Sequence, residues 1–135
     1  MTDTTLMILA AIAAVIVLAI WTVLRKGRLR PGPHVFRASR LSAGNRIFPT
    51  QVLITPSSVT HFRPQWIGKL EESIHISHVA SIRIDTNILF SDVVIETTGG
   101  HNPILCHGHS KGDAIEIKRL IEEFQTGFYK KTKDE

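Results

Sequence analysis

The sequence contains few of the residues and motifs that carry covalent or cofactor chemistry. Its 135 residues include one cysteine, Cys106, so no disulfide can form within the chain. It has no nucleophile-elbow sequence and no phosphate-binding glycine loop. A single cysteine is compatible with a reducing compartment. We therefore expect a protein that is not an enzyme and that needs no cofactor.

The net positive charge is also small outside one short segment. The formal net charge is +4, and the first 30 residues account for +3 of it, with four cations against Asp3. The other 105 residues hold 12 Lys and Arg against 11 Asp and Glu, a net of +1. There is no zinc-finger spacing and no basic helix of DNA-binding type. We therefore expect no nucleic-acid partner.

Charge is absent from the run Leu6–Leu24, which reads "LMILAAIAAVIVLAIWTVL". As a helix, these 19 residues would extend about 28 Å at 1.5 Å per residue, close to the roughly 30 Å of a bilayer's hydrocarbon core. Eleven of them are Leu, Ile or Val, which together favour insertion by about 3–7 kcal/mol. The run therefore predicts a transmembrane helix over residues 6–24.

Two other interpretations of this run fit it less well. A core helix of a soluble domain would show a polar face, and this run has none. A cleaved signal peptide has a positively charged start, a shorter apolar stretch and a cleavage site between small residues. Here "MTDTT" carries Asp3 and no cation, and the run ends in "WTVLRKGR". A permanent single span is the interpretation we favour.

The flanking charges predict the orientation of that span. Lys and Arg near a span favour the cytoplasmic side, and four of them follow the run: Arg25, Lys26, Arg28 and Arg30. We expect residues 1–5 on the extracytoplasmic side, a basic linker over 25–33, and the rest of the chain at the cytoplasmic face of the inner membrane. The same four cations would face anionic lipid headgroups.

Residues 34–109 read as short strands separated by turn residues. "PGP" at 31–33 interrupts any helix that continues from the span. "TGGHN" at 98–102 is a strong hairpin signal. The predicted strands are 34–40, 46–55, 59–63, 70–76, 80–86, 91–97 and 103–109.

A helix is predicted after these strands. Ser110 is a favourable N-cap and Asp113 can complete a capping box. Apolar residues then recur at spacings of three and four, at Ala114, Ile117, Ile121, Phe124 and Phe128. Gly127 is a plausible stop, which leaves 129–135 as a charged tail. The predicted fold is α+β and mainly β: a partly open barrel of about seven antiparallel strands over 34–128, capped by this amphipathic helix.

Four segments carry a resemblance to a known family: "VLITPSSVTHFRP", "ESIHISHVASIRID", "SDVVIETTGGHNPILCHG" and "SKGDAIEIKRLIEEF". Their order resembles bacterial pleckstrin-homology-like (PH-like) domains. Thr55 and Val59 match a T-x-x-x-V hairpin pattern, and Gly99 and Gly100 match a glycine hairpin. The matching apolar positions around a kinked central strand are Ile74, Ile76, Val79 and Ile82.

The resemblance implies a binding or scaffolding module beside the membrane, with no shared catalytic residues. We expect it to bind a protein partner or to self-associate as a homo-oligomer. The alternative is a lipid or small-ligand sensor. Arg37, Arg40 and Arg46 flank the turn where related folds bind phosphoinositides, but the basic pattern of that site is not reproduced. These three arginines and Trp66 form the predicted ligand or partner surface.

Histidine is the one chemically versatile residue that is abundant, with seven copies. The densest cluster is "CHGH" at 106–109. Because alternate side chains of a strand share a face, His107 and His109 are expected on one face and Cys106 on the other, towards the core. Two imidazoles are too few for a closed zinc site. We therefore expect no metal and keep His107 and His109 as the candidates for a metal-responsive module.

Overall fold

The computed structural model of the protein describes residues 2–26, 28, 32–42, 44–100 and 102–135. It contains two long α-helices, seven strands and one short 3-10 turn at Ile76–His78. The helices are α1 (Asp3–Lys26) and α2 (Lys111–Asp134). The strands are β1 (Val35–Arg37), β2 (Gln51–Ile54), β3 (Ser58–Pro64), β4 (Lys69–His75), β5 (Val79–Thr86), β6 (Ser91–Thr97) and β7 (Ile104–His109).

Helix α1 is apolar on every side and buries none of its residues in the rest of the molecule. Its mean hydropathy reaches 2.8 over an 18-residue window. Among the residues that the structure describes, it is the one helix long and apolar enough to cross a membrane. It begins three residues before the predicted span and ends two residues after it.

The seven strands are antiparallel, as the sequence predicts, and they are divided between two sheets. The order is β1-β2-β3-β4 in one sheet and β5-β6-β7 in the other. In the first sheet, β3 pairs with β4 from Ser58↔His75 to Pro64↔Lys69. With α2 closing the domain, the architecture is α+β and mainly β, and it is compatible with a PH-like fold.

The core lies between the two sheets and α2. Val52, Ile54 and Val59 contribute from the first sheet, while Val93, Ile95 and Cys106 contribute from the second. One face of α2 completes the core with Ala114, Ile117, Leu120 and Ile121. Ser110 caps this helix, since its hydroxyl accepts a hydrogen bond from the Asp113 backbone N–H at 3.1 Å.

The long connection between β1 and β2 differs from the sequence prediction of strands at 34–40 and 46–55. The two strands are shorter because the buried side chain of Asn45 binds backbone groups that a sheet would otherwise use. Its Oδ1 accepts from the Thr50 backbone N–H at 2.9 Å, and its Nδ2 donates to the His107 carbonyl at 3.0 Å. The connection is thereby held against β7.

The predicted end of the last helix at Gly127 is wrong, because α2 continues to Asp134. An added Cβ at Gly127 would meet no atom within 4 Å, and its backbone is not in a left-handed conformation. Beyond it, the Tyr129 hydroxyl donates a 3.1 Å hydrogen bond to the Ser77 carbonyl. This contact favours continuation of the helix through most of the predicted tail.

Candidate membrane-facing site

The last turn of α1 is the part of that helix covered by the rest of the chain. Thr22, Val23 and Lys26 are half-buried, whereas the residues before them are exposed. Residues three and four apart share a helix face, so these three side chains lie together on one side. The domain formed by the two sheets and α2 therefore contacts α1 where the apolar run of that helix ends.

Lys26 forms the polar part of this contact between α1 and the rest of the chain. Its ammonium donates hydrogen bonds to the carbonyl oxygens of Gln65 and Trp66, at 2.5 and 2.8 Å. The same Nζ lies 5.8 Å from the centre of the Phe48 ring, within the range of a cation–π interaction. One cation thus joins α1 to both the β3–β4 turn and the β1–β2 connection.

The β3–β4 turn consists of Gln65–Gly68. Its four residues are closed by a 3.3 Å hydrogen bond from the Gln65 N–H to the Gly68 carbonyl, and Gly68 adopts a φ of 77° that favours glycine. Trp66 is 64% exposed and contacts Phe48 edge-to-face, with ring centres 4.8 Å apart. Ile67 is 93% exposed. The turn therefore presents two large apolar side chains beside the end of α1.

The other predicted juxtamembrane cations have separate environments. The Arg25 guanidinium lies 5.2 Å from the centre of the Trp21 ring on α1. Arg28 is exposed, and its carbonyl accepts a 2.6 Å hydrogen bond from Gln51 Nε2. Arg30 lies outside the described residues. The Gln51 contact links the segment that follows α1 to the sheet.

The structure brings Arg46 and Trp66 together at one groove. This groove has a volume of about 320 Å³ and combines the Arg46 and Arg63 side chains with an apolar floor. Its lining residues are Gly44, Arg46, Ile47, Phe48, Arg63, Pro64 and Trp66. Arg37, exposed at the end of β1, and the half-buried Arg40 are outside that lining. The predicted four-residue surface is thus only partly assembled here.

Sequence reasoning missed two residues of this site. The predicted strand 46–55 contains both Phe48 and Gln51, and nothing in its sequence indicates a contact with α1 or the linker. The signal that the sequence does carry is "RPQWIGK", which puts Trp66 and Ile67 between Arg63 and Lys69 in a loop that could contact the membrane interface or a partner. Only tertiary structure places that turn beside Lys26.

A second groove lies at the opposite end of the first sheet, beside the β2–β3 turn. It has a volume of about 550 Å³ and is bounded by that turn and the C-terminal half of α2. Phe124 and Phe128 are half-buried there, and Glu123 and Lys131 bring opposite charges to its lining. Because β3 runs from Ser58 to Pro64, its length of about 20 Å separates this groove from the β3–β4 turn.

The prediction that His107 and His109 share a face is wrong. His107 is exposed, with Nδ1 2.8 Å from Asp92 Oδ1, whereas His109 is fully buried on the same side as Cys106. A bulge at Gly108 reverses the alternation, since Ser91 pairs with His109 but Val93 pairs with Cys106.

Gly108 is required at this bulge. Its φ is 78°, and an added Cβ would lie 2.1 Å from Ser42 Oγ. Within the described residues, which exclude His101, no group of three or more His, Cys, Asp or Glu side chains is arranged to hold a metal ion.

Burial changes the titration of the inward-facing groups. Desolvation and, to a smaller extent, the nearby His61 together lower the pKa of His109 to about 4, although Asp92 opposes the change. Burial likewise lowers the pKa of His61 and raises the pKa of the Cys106 thiol to about 12. The thiol is therefore protonated and protected in the folded domain, which makes it a poor nucleophile.

Neither a protein-family model nor a curated protein sequence matches the chain.

Proposed function

We propose that the chain is a single-span membrane protein whose PH-like domain is held at the cytoplasmic surface and there binds another protein, or a second copy of itself, without catalysis. The domain is fixed to α1 at one end, through Lys26. An apolar groove of about 550 Å³ is at the other end, between the β2–β3 turn and α2. This opposed placement is the observation that carries the proposal.

The span and its orientation are supported by composition. Of the 19 uncharged residues of the predicted span, only those in the last turn are partly covered by the described part of the chain, and α1 buries none of its residues. Lipid is the environment in which such a helix is stable. The cations follow the span and none of the preceding side chains is basic, which favours a cytoplasmic domain.

The groove at the far end has the chemistry of a protein-binding site. Its apolar floor includes Phe124 and Phe128, and aromatic residues are enriched in protein interfaces. Glu123 and Lys131 lie in its lining, where paired charges favour the orientation of a partner more than its affinity. A partner approaching from the cytoplasm would meet this end of the domain first.

Gly127 offers a direct test, because it lines the groove and a side chain added there would meet no neighbour. Full-length tagged protein is cross-linked in native membranes, extracted in mild detergent and captured beside an untagged copy. We expect a stoichiometric partner or the untagged copy with the wild type, and a loss of either with Gly127→Leu.

Gly112→Leu is the matched control, since Gly112 is also in α2, also has open space around it, and is outside the groove lining. This variant should recover the partner as the wild type does. A wild-type protein that is monomeric and captures nothing would refute the proposal. Equal loss with both variants would refute the groove as the binding site.

A further inference from the structure

The proposed span places the β3–β4 turn at a definite depth. The predicted apolar run ends at Leu24, and Lys26 lies two residues later. The turn residues that accept hydrogen bonds from Lys26 are therefore at the level where hydrocarbon gives way to headgroups. Trp21 and Arg25, which stack at 5.2 Å, occupy this level on α1 itself.

The side chains of the turn suit that level. Trp is enriched at membrane interfaces because its ring combines an apolar body with a polar N–H. Trp66 and Ile67 are exposed in the chain, and nothing in the fold requires apolar residues at the tip of a hairpin. Water is an unfavourable environment for Ile67 at 93% exposure, whereas the edge of a bilayer is a favourable one.

The charges around the turn fit the same surface. Arg46 and Arg63 line the groove that contains Trp66, and Lys69 follows the turn, with Glu71 3.0 Å from its Nζ. Cations beside an apolar tip are attracted by anionic headgroups while the tip enters the interface.

We propose that the Gln65–Gly68 turn is a second membrane contact, in which Trp66 and Ile67 enter the interface of the same bilayer that α1 spans and Lys26 holds the turn in place. This inference rests on the proposed function, because it needs α1 to be inserted. It assigns the turn to lipid and leaves the groove beside α2 for the protein partner. The domain would then be fixed to the membrane at two points and oriented by them.

Tryptophan fluorescence of the full chain tests the inference. With Trp21→Phe, Trp66 is the only tryptophan, since the sequence holds two. The protein is reconstituted in phosphatidylcholine vesicles with or without lipid brominated near the headgroup end of its acyl chains. We expect the brominated lipid to quench most of the Trp66 emission and aqueous iodide to quench little. Emission quenched by iodide and unaffected by bromine would overturn the inference.

A second tryptophan position is the control. Tyr129 is exposed on the distal part of α2 and contacts Ser77. Tyr129→Trp, made with both native tryptophans changed to Phe, should be quenched by iodide and not by brominated lipid. Quenching of this residue by bromine would mean that the domain lies flat on the bilayer, and it would refute the two-point contact.

Two further variants separate the parts of the inference. Lys26→Met removes the hydrogen bonds to the turn, so Trp66 should become less sensitive to bromine and more sensitive to iodide. Unchanged quenching would refute the role of Lys26. Phosphatidylglycerol in the vesicles should increase bromine quenching, and combined Arg46→Gln and Arg63→Gln should abolish that increase. No effect of anionic lipid would refute the attraction of Arg46 and Arg63 to anionic headgroups.

The failure of this inference can be distinguished from failure of the proposed function. A chain that does not float with the vesicles refutes both, because α1 is then not inserted. A chain that floats while Trp66 remains in water refutes the membrane contact of the turn alone.

Discussion

Helices α1 and α2 are both 24 residues long, and their surroundings are opposite. Helix α2 has one apolar face, which packs on the two sheets with four buried residues. Helix α1 is apolar all round and buries none. The chain therefore supplies a core for α2 and none for α1. This difference indicates that the apolar side chains of α1 need an apolar surrounding that the chain does not supply. We propose that this surrounding is a lipid bilayer.

The largest effect should come from placing charge in the middle of α1. Each central Arg costs about 2.5–3.5 kcal/mol on insertion, so Ala14→Arg with Val15→Arg would cancel the estimated gain of about 3–7 kcal/mol. We expect the double variant to be released from membranes by alkaline extraction. Ile115→Arg, on the exposed face of α2, should stay in the membrane fraction. A double variant retained like the wild type would contradict the span.

The converse test removes packing from α2. Ile121 is fully buried, so Ile121→Ala should lower the free energy of unfolding of the domain by about 2–5 kcal/mol. Ile115→Ala, on the same helix at 64% exposure, should change it by less than about 0.5 kcal/mol. Urea titration of the full chain in micelles, read by labelling of buried Cys106, measures both. Equal losses would show that α2 does not pack as described.

Acid should destabilise the folded strands around His109 and leave α1 unaffected. The unfolded chain protonates His109 near its ordinary pKa of 6.5, whereas the folded domain protonates it only near 4. The neutral His109 therefore contributes fully to the free energy of unfolding above pH 6.5. This contribution, about 3 kcal/mol, is lost as the pH falls towards 4. The lowered pKa of His61 acts in the same direction.

His109→Gln should flatten this pH dependence, since it removes the buried imidazole. His107→Gln is the control, because His107 is exposed and lies beside Asp92. Urea titrations between pH 7 and 4, followed by Cys106 labelling with a pyridyl disulfide, provide the measurement. A wild-type domain equally stable at both ends of that range would rule out neutral, buried histidines.

The smallest effect concerns the start of α2. Ser110→Ala removes the hydroxyl that accepts from the Asp113 N–H and should cost about 1 kcal/mol. Thr126→Ala removes a hydroxyl within the same helix that bonds only to the preceding turn, at Glu122, and should be close to neutral. The same urea titration separates them. A neutral Ser110→Ala would mean that packing alone fixes where α2 begins.

Much of the fold could be predicted from the sequence because local patterns and the core agree. The alternation that turns Cys106 inward has the period of a strand, and the apolar stripe on α2 has the period of a helix. The glycine pair before β7 has the chemistry of a hairpin turn. Three features depended on contacts between distant residues. The Gly108 bulge places His109 inside, Asn45 shortens β1 and β2, and Tyr129 lies where α2 continues past Gly127.

The candidate site was harder to predict than the fold. The sequence indicates Trp66 and the juxtamembrane cations as separate candidates. Their proximity depends on a hydrogen bond between Lys26 and the Trp66 carbonyl, about forty positions apart. No local period carries that information. The arginines were grouped by their closeness in sequence, whereas Arg46 lines a groove with Arg63, from the end of β3.

Labelling of introduced cysteines in intact cells tests the central claim most directly. A membrane-impermeant maleimide is applied to cells expressing full-length Thr4→Cys or Lys130→Cys, with the buried Cys106 as background. The account predicts that Thr4→Cys is labelled in intact cells and Lys130→Cys only after permeabilisation, on a chain that retains residues 1–24. Labelling of Lys130→Cys in intact cells, or a mature chain lacking α1, would contradict it.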